Sequence, residues 1–265
     1  MAKPGSEVGE QGGVSLKEAN KRTAGASSAR RVLELLLSFS ERRPRATVAE
    51  LSELSGAPIA TTYRHVALLK ELRLLEEGPD NHYHLTSQVM PLARAAQMVN
   101  DHARLARPTM VVASEELGET VMLLQPAGET AVCVERVECD RPMRFTFEPG
   151  HSLPLGYGAS GKMLLACLPE KARSALLERV DTAARVELLE ELALARERGY
   201  ALSSSEIDEG VWACSVPVVD SGSSSAVLTV AGPQVRMRPE HRETVRERLQ
   251  EHAKEIRQRI STFSL

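Results

Sequence analysis

The stretch that most constrains this chain is residues 47–72. Thr47 stands ahead of a short apolar-periodic segment and Glu50 follows three residues later. That is the spacing of a capping box, in which the two side chains satisfy orphan N–H groups at a helix start. Val48, Leu51 and Leu54 form one face of this helix, and Gly56 ends it. Pro58 suits the first turn of the next helix, where its missing N–H costs nothing. Ile59, Thr62, Val66, Leu69 and Leu72 then recur at helical spacing as the inward face. Two short helices joined by a tight glycine turn make a helix-turn-helix. Ser52, four residues before Gly56, is small where the helices must approach. The outward face of the second of these helices carries Ala60, Thr61, Tyr63, Arg64 and His65. Its hydroxyls, phenol and guanidinium are groups that donate to phosphates or base edges in a major groove.

The flanks extend the pattern. Val32, Leu33, Leu36 and Leu37 predict a preceding helix over 29–39, with Ser28 as its cap. Arg42, Arg43 and Arg45 follow it, in reach of a phosphate backbone. After the helix-turn-helix come Leu74–Glu77, the turn Gly78-Pro79-Asp80-Asn81, and His82–Leu85. This is a hairpin directly after a recognition helix, and so a wing. His82 and His84 alternate, but no cysteine or second pair nearby completes a metal site. Three helices and a hairpin also serve as protein-interaction modules, which leaves that alternative open.

The net charge of −3 by itself speaks against a nucleic-acid binder. Residues 1–105, however, hold 14 lysines and arginines against 12 acidic residues, whereas 106–265 hold 19 against 24. A mildly basic front and an acidic rear fit DNA contact at one end. The 265 residues suffice for two ordinary domains. Residues 1–26 read as a disordered tail with no secretory h-region, and no apolar run approaches the roughly 20 residues needed to cross a bilayer, so the expected location is the cytoplasm. Residues 27–87 are the expected winged helix-turn-helix domain. Residues 88–106 form an alanine-rich linker helix with apolar side chains on more than one face, suited to packing against a second copy of the chain; 107–262 make a second domain.

In that second domain a helix over 107–117 leads into strands over 120–124 and 131–138, joined by Ala127-Gly128-Glu129, with a further strand over 144–147. The loop from Leu153 to Lys162 enters an apolar helix over 163–167, and helices over 170–179 and 185–198 follow. Strands over 212–219 and 225–231 and a closing helix over 239–260 complete an α+β sensor domain. Gly161-Lys162 is not a phosphate loop, because Met163 follows where a magnesium-binding hydroxyl is required. The helix start there still offers N–H groups to an anion. Cys133, Cys139, Cys167 and Cys214 match no zinc or redox spacing and read as reduced, buried side chains. Cys214, His151 and Asp208 form a conceivable nucleophilic set, but nothing in the sequence orders them. No cofactor is expected.

The order of these features resembles the IclR family of regulators. It comprises the helix-turn-helix, wing and linker helix, then Leu153-Pro154 with Gly161-Lys162, Arg198-Gly199-Tyr200-Ala201, Glu206 with Gly210-Val211, Pro217-Val218 and Ala231-Gly232-Pro233. The resemblance covers about residues 25–262. It implies a GAF-like effector domain, assembly into dimers or tetramers, and control of metabolic operons by an organic acid, an aromatic or another metabolite. The effector positions it implies are Leu153, Ala159, Ser160, Ser203, Glu206, Ala213, Thr229 and Ala231. Thr62 and Arg73 depart from the family pattern, where an aliphatic residue and a glycine are usual. Ala213 and Ala231 bring no polar group to the pocket.

Overall fold

The computed structural model describes residues 26–41, 43–219 and 225–263. The expected tail over 1–26 and Arg42 therefore lie outside the described residues, except for Ala26. The chain divides into two compact units, Met1–Leu92 and Ala93–Leu265.

In the first unit, α1 (Ser27–Leu37), α2 (Val48–Ser55) and α3 (Ile59–Glu71) enclose an apolar cluster that includes Val32, Leu35, Leu51, Val66 and Leu69. α1 begins at Ser27, so Ser28 lies inside it rather than capping it, and Leu33 and Leu37 point outward. The capping box is formed: Thr47 Oγ1 accepts from the Glu50 N–H, and Glu50 Oε2 accepts from the Thr47 N–H at 2.7 Å. Gly56 takes the left-handed conformation (φ 61°) that ends α2. Ser52 Oγ donates to the Ala57 carbonyl at 2.7 Å and ties the turn to the helix before it. The wing is β2 (Leu75–Glu77) paired antiparallel with β3 (His82–Leu85). A strand not foreseen, β1 (Arg45–Thr47), pairs with the other edge of β3, giving the order β1-β3-β2. It is too short for its alternation to register as a period.

The linker differs from a single helix over 88–106. α4 (Val89–Met98) stops, and α5 (Asp101–Leu117) starts anew. Asn100 accepts the Ala103 N–H and caps α5, so the helix expected to begin at 107 begins at 101 and continues through Pro108. Gln125 secures this junction: it accepts from Asn100 Nδ2 at 2.8 Å, and its own amide nitrogen lies 2.9 Å from His102 Nδ1.

The second unit is built on one antiparallel sheet in the order β6-β5-β4-β9-β8-β7. Its strands are β4 (Thr120–Ala127), β5 (Thr130–Val137), β6 (Ser152–Pro154), β7 (Ala201–Ser204), β8 (Val211–Val219) and β9 (Ala226–Pro233). Strand alternation sorts the core onto two faces. Val121, Leu123, Trp212, Cys214, Leu228 and Val230 pack against α5 and the closing helix α9 (Pro239–Phe263). Met122, Leu124, Ala213, Val227 and Ala231 face α6 (Gly158–Cys167) and α8 (Thr182–Arg198), with α7 (Glu170–Leu177) between those two in the chain. Residues 144–147 join no ladder. The strand in that region is β6, and β7 occupies what reads as a polar loop. Glu119, 1% exposed, is held by a bidentate contact from Arg236 at 2.6 and 2.7 Å, which closes the start of β4 against the end of β9. Among the described residues, no helix is long and apolar enough to cross a membrane.

Candidate DNA interface and ligand cavity

On α3 the buried side is Thr62, His65, Val66 and Leu69, the i, i+3, i+4, i+7 stripe. His65 is thus corrected from the outward to the inward face; it is 7% exposed, and its Nδ1 has no hydrogen-bond partner among the described residues. Ile59 and Leu72, at the two ends of the stripe, are instead exposed. Thr62 is fully buried and returns its hydroxyl to the Pro58 carbonyl at 3.3 Å, which is how a polar side chain is accommodated at an aliphatic position. Ala60, Tyr63 and Arg64 are exposed and Thr61 half-buried, so these four form one outward patch. Arg64 Nη2 rests on Thr61 Oγ1 at 3.3 Å. Arg45 is exposed on β1; Arg43 is half-buried. The wing histidines are engaged locally, His84 with Glu76 at 3.0 Å and His82 with the Asp80 carbonyl at 3.1 Å.

The second unit holds a partly open cavity of about 30 Å³ between the sheet and the start of α6. Of the eight effector positions named from the sequence, seven line it: Leu153, Ala159, Ser160, Ser203, Ala213, Thr229 and Ala231. Met122, Leu124, Phe145, Phe147, Ile207 and Val211 complete the wall with Gly158. The two phenylalanines were missed as lining residues because they arrive on a segment without periodicity; their rings stack at 6.1 Å. Thr120 Oγ1 donates to the Phe145 carbonyl at 2.7 Å and fastens that segment to the sheet. Close approach requires glycine twice here. A Cβ at Gly158 (φ 65°) meets Ile207 at 2.9 Å, and one at Gly161 meets the Pro154 carbonyl at 2.5 Å.

Glu206, the eighth position, stands beside the cavity rather than in its wall. Its carboxylate accepts the Gly158 N–H at 3.1 Å, so α6 begins at residue 158, before the apolar run, with an internal anion at its positive end. Lys162, with its side chain 8% exposed, is held by Glu206 at 2.8 Å and Glu191 at 2.9 Å. Burial works against its charge, but the two carboxylates prevail and hold its pKa above the usual lysine value. The Gly-Lys pair thus serves an ion triad, not a phosphate. At the cavity floor, Ser160 Oγ lies 3.0 Å from Thr229 Oγ1, which donates to Ser215 Oγ at 2.9 Å.

The imagined nucleophilic set does not assemble. Cys214 is fully buried on the α5/α9 face of β8, and burial pushes its thiol up to about 12. His151 lies edge-on to Phe147 on the other face, and Asp208 lies in the loop before β8. Cys133, Cys139 and Cys214 are buried and Cys167 is half-buried.

Comparison with known proteins agrees with this division of labour. Residues 28–79 match the IclR helix-turn-helix domain, and residues 96–258 match the bacterial transcriptional regulator IclR C-terminal domain. The chain is 31% identical over 229 residues to the "Probable transcriptional regulator SauR" of Cupriavidus necator, covering 83% of this chain and 90% of that one. It superimposes with a TM-score of 0.79 on an IclR family transcriptional regulator from Brucella abortus, at 23% identity and covering 92% and 96% of the two chains. A Microbacterium hydrocarbonoxydans IclR homolog complexed with 4-hydroxybenzoate superimposes at 0.63, with 22% identity and coverage of 89% and 100%. With both domain families matched in order, the chain belongs to the IclR family, as a DNA-binding transcription regulator with a winged helix-turn-helix and a GAF-like effector-binding domain.

Proposed function

We propose that this regulator reads operator DNA with Ala60, Thr61, Tyr63 and Arg64 of α3, and that Arg42, Arg43 and Arg45 steady the phosphate backbone. A metabolite in the cavity between α6 and the sheet then sets operator affinity. The observation that carries this reading is the convergence of seven expected effector positions, from four separate parts of the chain, on one largely apolar cavity. The Microbacterium hydrocarbonoxydans IclR homolog complexed with 4-hydroxybenzoate supports a small-molecule effector. The working boundaries are 27–87 for the DNA-binding domain and 107–262 for the effector domain, with 88–106 as the connection.

We also propose that the chain acts in the cytoplasm as a homodimer or tetramer. No residue of α4 is buried, and Met90, Leu92, Met98 and the adjoining Val99 are 64–79% exposed. A second copy is the occupant that two-fold operator symmetry demands, since it places two recognition helices on inverted half-sites. The test is DNase footprinting on the region upstream of the gene. A protected inverted repeat that is lost in Arg64→Ala, with the fold intact, supports the reading. A folded protein that protects no DNA overturns it in favour of an interaction module.

A further inference from the structure

Resting on the reading of the cavity as the effector site, we infer that it selects an uncharged, largely apolar molecule that donates a hydrogen bond, such as a phenol or an alcohol, over a carboxylic acid of the same size. Three observations converge on this.

The first is charge. Among the described residues, none of the lining side chains is ionisable. Lys162, two residues after Ser160, is already shared between two carboxylates, Arg144 next to Phe145 is paired with Glu138 at 2.8 Å, and the Gly158 N–H at the rim is given to Glu206. The triad at the start of α6 sets one positive group against two negative ones. The first N–H of the helix start that the sequence offers to a ligand carboxylate is therefore taken by a carboxylate of the chain. An anionic ligand entering here is stripped of water with no partner of opposite sign.

The second is hydrogen-bond polarity. Thr229 commits its single hydroxyl proton to Ser215. The contact between Ser160 and Thr229 then requires Ser160 to be the donor. What Ser160 turns to the cavity is lone pairs, which accept. At Ser160 a carboxylate, which has only acceptors at neutral pH, meets lone pairs in repulsion, whereas a hydroxyl proton fits.

The third is shape. Met122, Leu124, Phe145, Phe147, Ile207 and Ala213 supply an apolar surround in which a planar ring is at home. A cavity of about 30 Å³ holds roughly two waters. A larger ligand therefore enters only with a rearrangement of the wall.

The test is calorimetry on the full chain at pH 7 with 3-methylphenol, 3-methylanisole, which keeps the ring but lacks the proton, and 3-methylbenzoate. We expect the phenol to bind about 10-fold tighter than the ether and the benzoate to bind weakest. Thr229→Val frees the Ser160 proton to donate, so in that variant the preference for phenol over ether collapses or reverses. A merely apolar pocket does not respond in this way. Benzoate binding as tight as the phenol, and abolished by Ser160→Trp, overturns the class inference while leaving the cavity as the effector site. Binding unaffected by Ser160→Trp overturns the cavity reading itself. No heat from any of the three compounds overturns the class inference.

Discussion

Replacing Lys162 by Met tests whether the ion triad organises the start of α6. The substitution keeps most of the aliphatic stem and removes only the charge. At 2.8 Å, the attraction of Lys162 for Glu206 is about 6 kcal/mol gross at an effective dielectric constant near 20. Desolvating an ammonium takes back several kcal/mol of that. Glu191 adds little, because its side chain is 44% exposed. Removing Lys162 also leaves Glu206, 27% exposed, with only the Gly158 N–H. The expected net loss is about 2 kcal/mol, well below the 3–5 kcal/mol of a fully buried pair. For a unit of this size that corresponds to a fall in Tm of roughly 4–8 °C.

The pH dependence has a definite sign. The folded pKa of Lys162 lies above its ordinary 10.5, so its contribution is fully present below pH 10.5. It is lost as pH climbs from there through the folded value, because the unfolded chain releases its proton first. Urea unfolding of wild type and Lys162→Met at pH 7 and in the alkaline range measures both effects. The gap between the two proteins should be about 2 kcal/mol at neutral pH and should narrow above pH 10.5. A gap under about 0.5 kcal/mol at pH 7, the size of an ordinary surface change, or a gap that does not change with pH, would refute the argument that the triad is a net stabilising device.

Other expectations follow from single sites. Arg64→Ala should weaken specific operator binding by about 1–3 kcal/mol if the guanidinium reads a base, as measured by fluorescence anisotropy; unchanged binding removes Arg64 from the interface. Thr47→Ala breaks the capping box and should lower stability by about 1 kcal/mol in urea titration, while a neutral result means that solvent replaces the cap. Iodoacetamide on the native protein should spare Cys133 and Cys214, both buried with thiols pushed up to about 12, and label them only on unfolding. Light scattering at micromolar concentration should report a dimer or larger; monomer alone would contradict the role given to α4.

The winged helix-turn-helix was legible because its information is local. A capping box, a glycine at a left-handed turn and a proline at a helix start each act within a few residues, so Thr47, Glu50, Gly56 and Pro58 mark their elements in the linear chain. His65 was misplaced because the inward stripe of α3 is wide enough to take in both 65 and 66, and polarity alone suggested exposure. The joint at Asn100 was hidden by an apolar pattern that runs through both helices without a break.

The cavity divides differently. Its residues were named from the chain through resemblance, and in the structure the alternation of β8 and β9 puts Ala213, Thr229 and Ala231 on the cavity face and Trp212, Cys214 and Val230 on the other. Three things were decided only by tertiary structure: that Glu206 and Glu191 both close on Lys162, that Phe145 and Phe147 form part of the wall, and that Thr229 spends its proton on Ser215. Each depends on groups brought together by sheet order and helix docking, across separations such as the 44 residues between Lys162 and Glu206. Periodicity and capping reach no farther than the element that contains them, whereas the charge balance and hydrogen-bond polarity of a buried site belong to neighbours that only the fold supplies.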